Sequence, residues 1–340
     1  MRKLLNTLYV TMPDAYLSKD GQNIVVSVSQ KEVFRIPAIN IEGIVTLGYM
    51  GASPGVMSLC ADNGISLTFL STHGRFISRV QGATKGNVLL RKKQYLLSDS
   101  ESDSLHVARL MIGAKIQNYR SILRRYIRDY GENDAVGHAV DVLGRAKHDA
   151  LEAKDKAVLI GYEGMASNAY FEALPYLILN QKADFTFNGR NRRPPKDAVN
   201  AMLSFAYTLI ANDVAAALET VGLDPYVGFL HTLRPGRTSL ALDVMEELRA
   251  YLGDRFVLSL VNKKQITIND FLHQGDNGIV MTDKGKKTFI SAWQNRKREE
   301  INHPYLNEKI EIGLLPYVQA MLLARYIRQD IDDYPVFLIK

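Results

Sequence analysis

Residues 105–127, with the sequence LHVARLMIGAKIQNYRSILRRYI, carry apolar side chains at steps of three and four. The repeating positions are Leu105, Ala108, Ile112, Ile116, Tyr119, Leu123 and Ile127. Because this spacing places them on one face of a helix, it predicts a long amphipathic helix. Similar patterns predict further helices over residues 135–146, 151–179, 195–221, 239–252 and 310–328, with Ser239 as a candidate N-cap. Most of the chain beyond residue 85 is therefore expected to be helical.

Residues 3–81 have a different pattern. Short apolar segments between turn residues predict strands at 4–11, 15–17, 24–28, 33–36, 44–47, 65–70 and 75–80. Asp20-Gly21 is a strong hairpin signal, and Ser53-Pro54 starts a short helix that ends at Gly64. A turn is expected at residues 72–74, where His73 is interpreted as a polar loop residue. This part of the chain is predicted to be a small β domain.

The glycines Gly82 and Gly86 enclose a predicted linker. A chain of 340 residues is long enough for two domains. The expected fold is therefore α+β and multidomain, with an N-terminal β domain over residues 1–85 and a mainly α-helical domain over residues 86–340.

The composition excludes several classes of protein. Hydrophobic residues make up 46% of the chain and charged residues 23%, which is typical of a folded domain rather than a disordered one. The single cysteine, Cys60, excludes a disulfide framework and a zinc site of several cysteines, and its apolar neighbours predict that it is buried. The basic start lacks the apolar stretch of a signal peptide, and no run of about 18 apolar residues occurs. A cytoplasmic location without a membrane span is expected.

The positive charge is unevenly distributed. The formal net charge is +6, and residues 1–95 hold 11 basic and 5 acidic residues, so the whole excess lies there. The remaining part is neutral on average but contains basic clusters within residues 109–128, 182–196 and 284–298. One such cluster is equally consistent with a solvated face, whereas three in one chain favour a surface for nucleic-acid phosphates.

Several catalytic motifs are absent, namely G-x-G-x-x-G, H-E-x-x-H and G-x-S-x-G. Residues 278–288 superficially resemble a phosphate-binding loop, but the spacing of their glycines and lysine does not match the motif. The chemistry must therefore be sought among isolated acids and histidines.

Three elements in the helical part contain acids or an imidazole. They are Gly161-Tyr162-Glu163-Gly164, Gly228-Phe229-Leu230-His231 and Asp243-Val244-Met245-Glu246-Glu247. Positions 243 and 246 lie about 60° apart on a helix and share a flank, but helical geometry does not choose between Glu246 and Glu247. The same pattern would also be expected without any ligand. In that case Glu163 faces solvent and His231 is a hydrogen-bonded residue of the core.

Carboxylates combined with one imidazole suit a hard divalent ion, Mg²⁺ or Mn²⁺, and the imidazole favours Mn²⁺. Such an ion stabilises the charge that develops when a phosphodiester is attacked by water or by a 3′-hydroxyl. Arg234 and Arg237 lie near these elements in the sequence and could hold phosphates.

These elements belong to longer, ordered motifs that carry a family resemblance. The motifs are Gly161–Gly164, Asn188-Gly189-Arg190, Arg193-Pro194-Pro195, Asp197, Asn200–Phe205, Gly228–His231, Arg234, Arg237, Ser239-Leu240, Asp243, Glu246-Glu247 and Arg249. In this order they resemble the CRISPR adaptation integrase family, the universal spacer-acquisition nuclease, over essentially the whole chain. The final third is similar to the type I-C version in Trp293-Gln294, Arg296-Lys297, His303-Pro304, Gly313–Pro316 and Tyr334-Pro335.

The resemblance implies a β domain that dimerises and a helical catalytic domain with one metal site. The metal-binding Glu and His of the family fall on Glu163 and His231, and its acidic ligand falls on Glu246, where many members have Asp. Asp243 is the neighbouring acid, which would orient a ligand or a metal-bound water. The implied reaction inserts short DNA fragments into the repeat array by 3′-OH attack on a phosphodiester.

The resemblance also implies partners and leaves roles open. Members form homodimers and join a small ferredoxin-like adaptation partner in a heterohexamer. Arg193, Arg234 and Arg237 are hypothetical contacts to the DNA backbone, and Tyr162 is either a positioning residue or a helix-packing residue. Two alternative functions are a non-catalytic DNA-binding scaffold, in which the acids pair with arginines, and a metal-dependent nuclease that acts on RNA.

Overall fold

The amphipathic segment at residues 105–127 lies within a helix of 30 residues, α3 (Glu101–Tyr130). The computed structural model describes residues 7–339, apart from 13, 49–50, 72–75, 81, 83–87 and 276–277. The start of the first predicted strand, the turn at His73 and the domain boundary at residue 85 lie outside the described residues. The repeating positions of the segment, from Leu105 to Leu123, are buried, as its spacing predicts.

The strands of the first part follow the predicted order. They are β1 (Thr7–Val10), β2 (Ala15–Asp20), β3 (Asn23–Val28), β4 (Lys31–Pro37), β5 (Gly43–Leu47), β6 (Ser66–Leu70) and β7 (Phe76–Val80), with helix α1 (Pro54–Asn63) between β5 and β6. The hairpin expected at Asp20-Gly21 is confirmed, since Asp20 pairs with Asn23 across a two-residue loop. Gly64 ends α1 in the left-handed region at φ 67°, where a glycine carries no steric cost.

Two sheets lie in this part. One has the order β1-β5-β6-β7, with β1, β5 and β6 parallel and β7 antiparallel, and the other is the antiparallel meander β2-β3-β4. Ile44 and Leu67 belong to a core shared with α1 and with the buried Cys60, whereas Val45 and Leu70 belong to the core of the helices. The four-stranded sheet thus separates the two cores.

The helical part contains most of the remaining elements. The α-helices are α2 (Val88–Asp99), α3, α4 (Asp134–Leu151), α5 (Lys156–Ala173), α6 (Ala198–Val221), α7 (Ser239–Arg249), α8 (Arg255–Asn262), α9 (Asp283–Arg298) and α10 (Leu315–Arg328). A π-helical turn (Ala250–Asp254) joins α7 to α8, and two short hairpins, β8 (Phe271–Gln274) with β9 (Gly278–Met281) and β10 (Glu300–Asn302) with β11 (Lys309–Glu311), complete this part. The predicted α+β class is confirmed.

Several predicted helix ends are wrong. The helix expected at 151–179 begins only at Lys156, because the carboxylate of Asp155 caps it by accepting the N–H of Val158 at 2.8 Å. Ser239 is not an N-cap. It is the first residue of α7, and its hydroxyl donates to the carbonyl of Thr232 at 3.2 Å. The helix expected at 310–328 begins only at Leu315, because residues 309–311 form strand β11.

By length and composition alone, one helix of the described residues, α6, could cross a membrane. Of its most apolar window, 67% is buried inside the structure. Such burial is typical of a helix that is apolar on all sides and lies in a protein core.

Candidate active site

Helix α3 packs against both α5 and α7 in the helical part. Lys115 lies on α3, Glu163 on α5, and Asp243 and Glu246 on α7. His231 follows α6 in an irregular segment that reaches α7. The residues predicted for the metal site therefore come from three elements around one helical contact.

Lys115 joins two of the predicted ligands. Its side chain is 1% exposed, and Nζ forms an ion pair with Oε1 of Glu163 and lies 2.7 Å from Oε2 of Glu246. The hydroxyl of Ser167 donates to Oε1 of Glu163 at 2.8 Å, and Nη1 of Arg249 lies 3.2 Å from Oε2 of Glu246. The two carboxylates thus converge on a single cationic position.

Both carboxylates are held in the charged form. Burial raises the pKa of Glu246, but the charges of Arg249 and Lys115 outweigh it and lower this pKa to about 2. Burial acts likewise on Glu163, where the charge of Lys115 and its hydrogen bond bring the pKa below its usual value. The buried carboxylate of Glu246 and the half-buried carboxylate of Glu163, both ionised, require a cation between them.

His231 is oriented by a buried carboxylate. Asp243 is fully buried, and its Oδ1 lies 2.5 Å from Nδ1 of His231. With Nδ1–H donated to Asp243, the other ring nitrogen, Nε2, is the acceptor, and the imidazole remains 23% exposed. A histidine held in this way by a carboxylate is the usual arrangement for a metal ligand.

These groups are not assembled into a closed cage. Among the described residues, no group of three or more His, Cys, Asp or Glu side chains is placed so that it could hold a metal ion. The structure brings Glu163 and Glu246 together through Lys115, and it holds His231 separately through Asp243.

Glu247 points away from this centre. Its carboxylate accepts the hydroxyl of Tyr334, the N–H of Phe337 at 2.5 Å and the amide of Gln319 at 3.1 Å. Burial raises the pKa of Glu247 to about 7, although these three donors oppose the shift. Of the two adjacent acids, Glu246 is the one that contacts Lys115 beside Glu163.

A second polar network stabilises Glu246 indirectly, through Arg249. The guanidinium of Arg249 lies 4.6 Å from the ring centroid of Tyr207, and the hydroxyl of Tyr207 donates to the buried Asp254. Arg190 lies 5.3 Å from the same ring and donates to Asn200 at 2.7 Å. These contacts fix the orientation of Arg249 and thereby keep its charged guanidinium beside Glu246.

The candidate backbone contacts lie at the surface. Arg193 and Arg234 are exposed and Arg237 is half-buried, and none of the three pairs with a carboxylate among the described residues. Arg234 and Arg237 enclose a turn in which the N–H of Arg237 donates to the carbonyl of Arg234 at 3.0 Å and Gly236 has φ 75°. Tyr162 is half-buried and packs against the core, which is the packing role considered from the sequence.

Comparison with known proteins decides the family. Residues 8–295 match the family described as CRISPR associated protein Cas1. The chain is 47% identical over 341 residues to CRISPR-associated endonuclease Cas1 1 of Chlorobaculum tepidum, and the match covers 99% of each chain. The chain belongs to the Cas1 family. The resemblance read from the ordered motifs is confirmed at this level.

Solved structures support the Cas1 fold. The chain superposes on a structure described as "Casposase bound to integration product" with a TM-score of 0.83 and 20% identity, covering 96% of this chain and 92% of that one. It superposes on the "Cas6-RT-Cas1--Cas2 complex" with a TM-score of 0.85 and 20% identity, covering 100% of this chain and 37% of that one.

The position of Lys115 in this Cas1 chain differs from the sequence-based expectation. Lys115 belongs to the basic cluster at 109–128, for which the sequence predicts a solvated face or a phosphate surface. Lys115 is buried instead, and so are Lys286 and Lys297 of the third cluster. The signal was available, because Lys115 lies three residues after Ile112 and four before Tyr119, on the apolar face of α3.

Proposed function

We propose that this chain is a metal-dependent DNA endonuclease and integrase of CRISPR spacer acquisition. It joins short DNA fragments to the repeat array through attack of a fragment 3′-OH on a phosphodiester. The observation that carries the proposal is the convergence of Glu163 and Glu246 on one cationic position between α3, α5 and α7.

The donor set suits Mg²⁺ or Mn²⁺. Two ionised carboxylates and one imidazole match the preferences of these ions, and the contact of Asp243 with Nδ1 of His231 leaves Nε2 for the metal. Glu163, His231 and Glu246 would hold the ion, and its chemistry is to stabilise the negative charge that develops on the attacked phosphodiester.

The residues of the chain have distinct tasks in this mechanism. Asp243 pairs with Nδ1 of His231, which leaves Nε2 available to a metal. Arg249 and Tyr207 hold Glu246 in its orientation and in its charged form. Arg193, Arg234 and Arg237 have no carboxylate partner among the described residues, which suits contacts to the DNA backbone.

The assembly proposed for the chain follows the family resemblance. The β domain at residues 1–85 dimerises, the helical domain at residues 86–340 is catalytic, and a small ferredoxin-like partner completes a heterohexamer in the cytoplasm. The similarity to the Cas1 portion of the "Cas6-RT-Cas1--Cas2 complex" supports a partner of this kind. The residues near the end, from Trp293 to Pro335, support assignment to type I-C.

Incubation with branched DNA tests the function. We expect strand transfer and cleavage with Mn²⁺ or Mg²⁺ and neither with EDTA, and we expect E163Q, H231A and E246Q each to lose at least about 100-fold in rate. E247Q is the matched control for E246Q, because it makes the same change one residue further along α7.

The alternatives give different results in this assay. A DNA-binding scaffold would bind branched DNA without cutting it, and all variants would behave alike. An RNA nuclease would cleave RNA of the same branched shape and leave the DNA intact. Either result would refute the proposed reaction.

A further inference from the structure

Lys115 is the least expected residue of the site, since a lysine is almost never fully buried without compensation. Its compensation consists of two carboxylates, Glu163 and Glu246, that come from two other helices. Nζ also lies 5.7 Å from the ring centroid of Tyr119 on the same helix. The ammonium is therefore held at the point where the carboxylates meet.

This point is also where a divalent ion would bind. An ion that bonds both carboxylates at about 2.1 Å would share them with Nζ of Lys115, which already contacts Oε1 of Glu163 and Oε2 of Glu246. Two cations at so short a distance repel each other strongly in a buried site. Binding of a metal to Glu163 and Glu246 together is therefore strongly disfavoured while the ammonium contacts both carboxylates.

We infer that Lys115 is a resident cation that occupies the metal position between Glu163 and Glu246, stabilises the metal-free site and competes with the divalent ion. The inference rests on the proposed metal site and adds a positioning residue to it. Its consequence is that the intact site binds metal more weakly than its ligands alone would allow. Without metal, Lys115 offsets the repulsion between the half-buried carboxylate of Glu163 and the buried carboxylate of Glu246.

The test is binding of Mn²⁺ alone to the full-length protein, measured by calorimetry and by the EPR signal of free Mn²⁺. We expect K115M, which keeps the length of the side chain but not its charge, to bind Mn²⁺ at least tenfold more tightly than the unchanged protein. K115Q keeps hydrogen-bond donors for the carboxylates and should shift in the same direction. K92M, which removes an exposed lysine on α2, should leave the affinity within twofold.

Thermal unfolding gives a readout that is independent of affinity. In EDTA, K115M should unfold at a lower temperature than K92M, and saturating Mn²⁺ should raise its unfolding temperature more than it raises that of K92M. If K115M folds only with Mn²⁺, the inference is supported. The affinity for Mn²⁺ is then measured on K115Q instead.

Two outcomes overturn the inference in distinguishable ways. Equal or weaker Mn²⁺ binding by K115M and K115Q, with binding still abolished by E163Q, refutes competition by Lys115 and leaves the metal site intact. Absence of Mn²⁺ binding in every one of these proteins refutes both the metal site and the role of Lys115.

Discussion

Asp243 contacts His231 twice, through Oδ1, which lies 2.5 Å from the imidazole Nδ1 and accepts the backbone N–H of His231 at 3.1 Å. Its other oxygen accepts the N–H groups of Phe229 at 2.6 Å and Leu230 at 2.9 Å. One buried carboxylate on α7 thereby fixes both the ring of His231 and the backbone that carries it. Asp243 is in this sense a structural support for the site as well as a neighbouring acid.

Replacing Asp243 should reduce both stability and cleavage, whereas replacing His231 should reduce mainly cleavage. D243N places an amide donor among backbone N–H groups, so we expect the free energy of unfolding to fall by about 2–4 kcal/mol. We also expect the rate of cleavage to fall roughly 10- to 100-fold, because the imidazole of His231 loses its support. H231A removes a partly exposed ring and should reduce cleavage at least as much with a smaller loss of stability. Urea denaturation measures the loss of stability, and cleavage of branched DNA measures the loss of activity. Unchanged stability of D243N would contradict the role of Asp243 as a structural support for His231.

The adjacent acids of α7 should behave differently. E247Q replaces an acceptor of three hydrogen bonds, so it should weaken the attachment of the C-terminal segment at Tyr334 and Phe337 and leave cleavage close to normal. Hydrogen exchange at the Phe337 N–H should accelerate in E247Q but not in E246Q. Loss of cleavage in E247Q with full cleavage in E246Q would reverse the assignment of the ligand.

Gly228 has no room for a side chain. A Cβ at this position would lie 2.5 Å from Oδ2 of Asp243 and 2.9 Å from the N atom of Leu240. We expect G228A to lower the free energy of unfolding by about 1–3 kcal/mol and to reduce cleavage, because the segment that carries His231 must move away from α7. G164A is the control, since its Cβ would meet nothing within 4 Å and alanine favours a helix interior by about 0.5–1 kcal/mol. Equal stabilities of the two variants would contradict this account of the contact.

Asp254 should make stability depend on pH. Burial raises its pKa from 3.8 to about 6 in spite of the hydrogen bond from Tyr207. At a pH below both values, the folded and unfolded chains both keep the proton. As the pH rises through this interval, only the unfolded chain releases the proton, so this contribution to stability is lost and stays lost above pH 6.

The variant D254N isolates this contribution, because it cannot titrate at that position. As the pH rises from about 4 to 7, the stability of D254N relative to the unchanged protein should increase by about 2 kcal/mol. Urea denaturation over this range measures the difference. A difference that is constant with pH, or that falls as the pH rises, would show that Asp254 is charged in the folded protein.

The sequence predicted those elements whose signal is local. The strand order up to Val80, helix α1 between Ser53 and Gly64, and α3 follow from apolar spacing, from the N-cap and from the glycine stop. The start of α5 was misplaced because the continuous apolar pattern concealed the cap at Asp155. The spacing of apolar residues thus predicts the presence of a helix or strand more reliably than the residues at which it begins and ends.

The site depends on contacts that no local pattern contains. Glu163 lies 48 residues from Lys115 in the sequence, and their contact depends on how α3 packs against α5. The choice between Glu246 and Glu247 came from the family motif, because both lie on α7 and both are buried. Lys115 was overlooked because basic residues in a run suggest a surface, whereas its place on the apolar face indicates burial.

The most direct measurement is the anomalous difference density of Mn²⁺ in crystals of the full-length protein. We predict one strong peak at about 2.0–2.3 Å from carboxylate oxygens of Glu163 and Glu246 and from Nε2 of His231, with the ammonium of Lys115 displaced from at least one carboxylate. Crystals of E163Q should lack the peak. Strong Mn²⁺ density elsewhere, or none at saturating Mn²⁺ while Lys115 still joins both carboxylates, would contradict the proposed metal site.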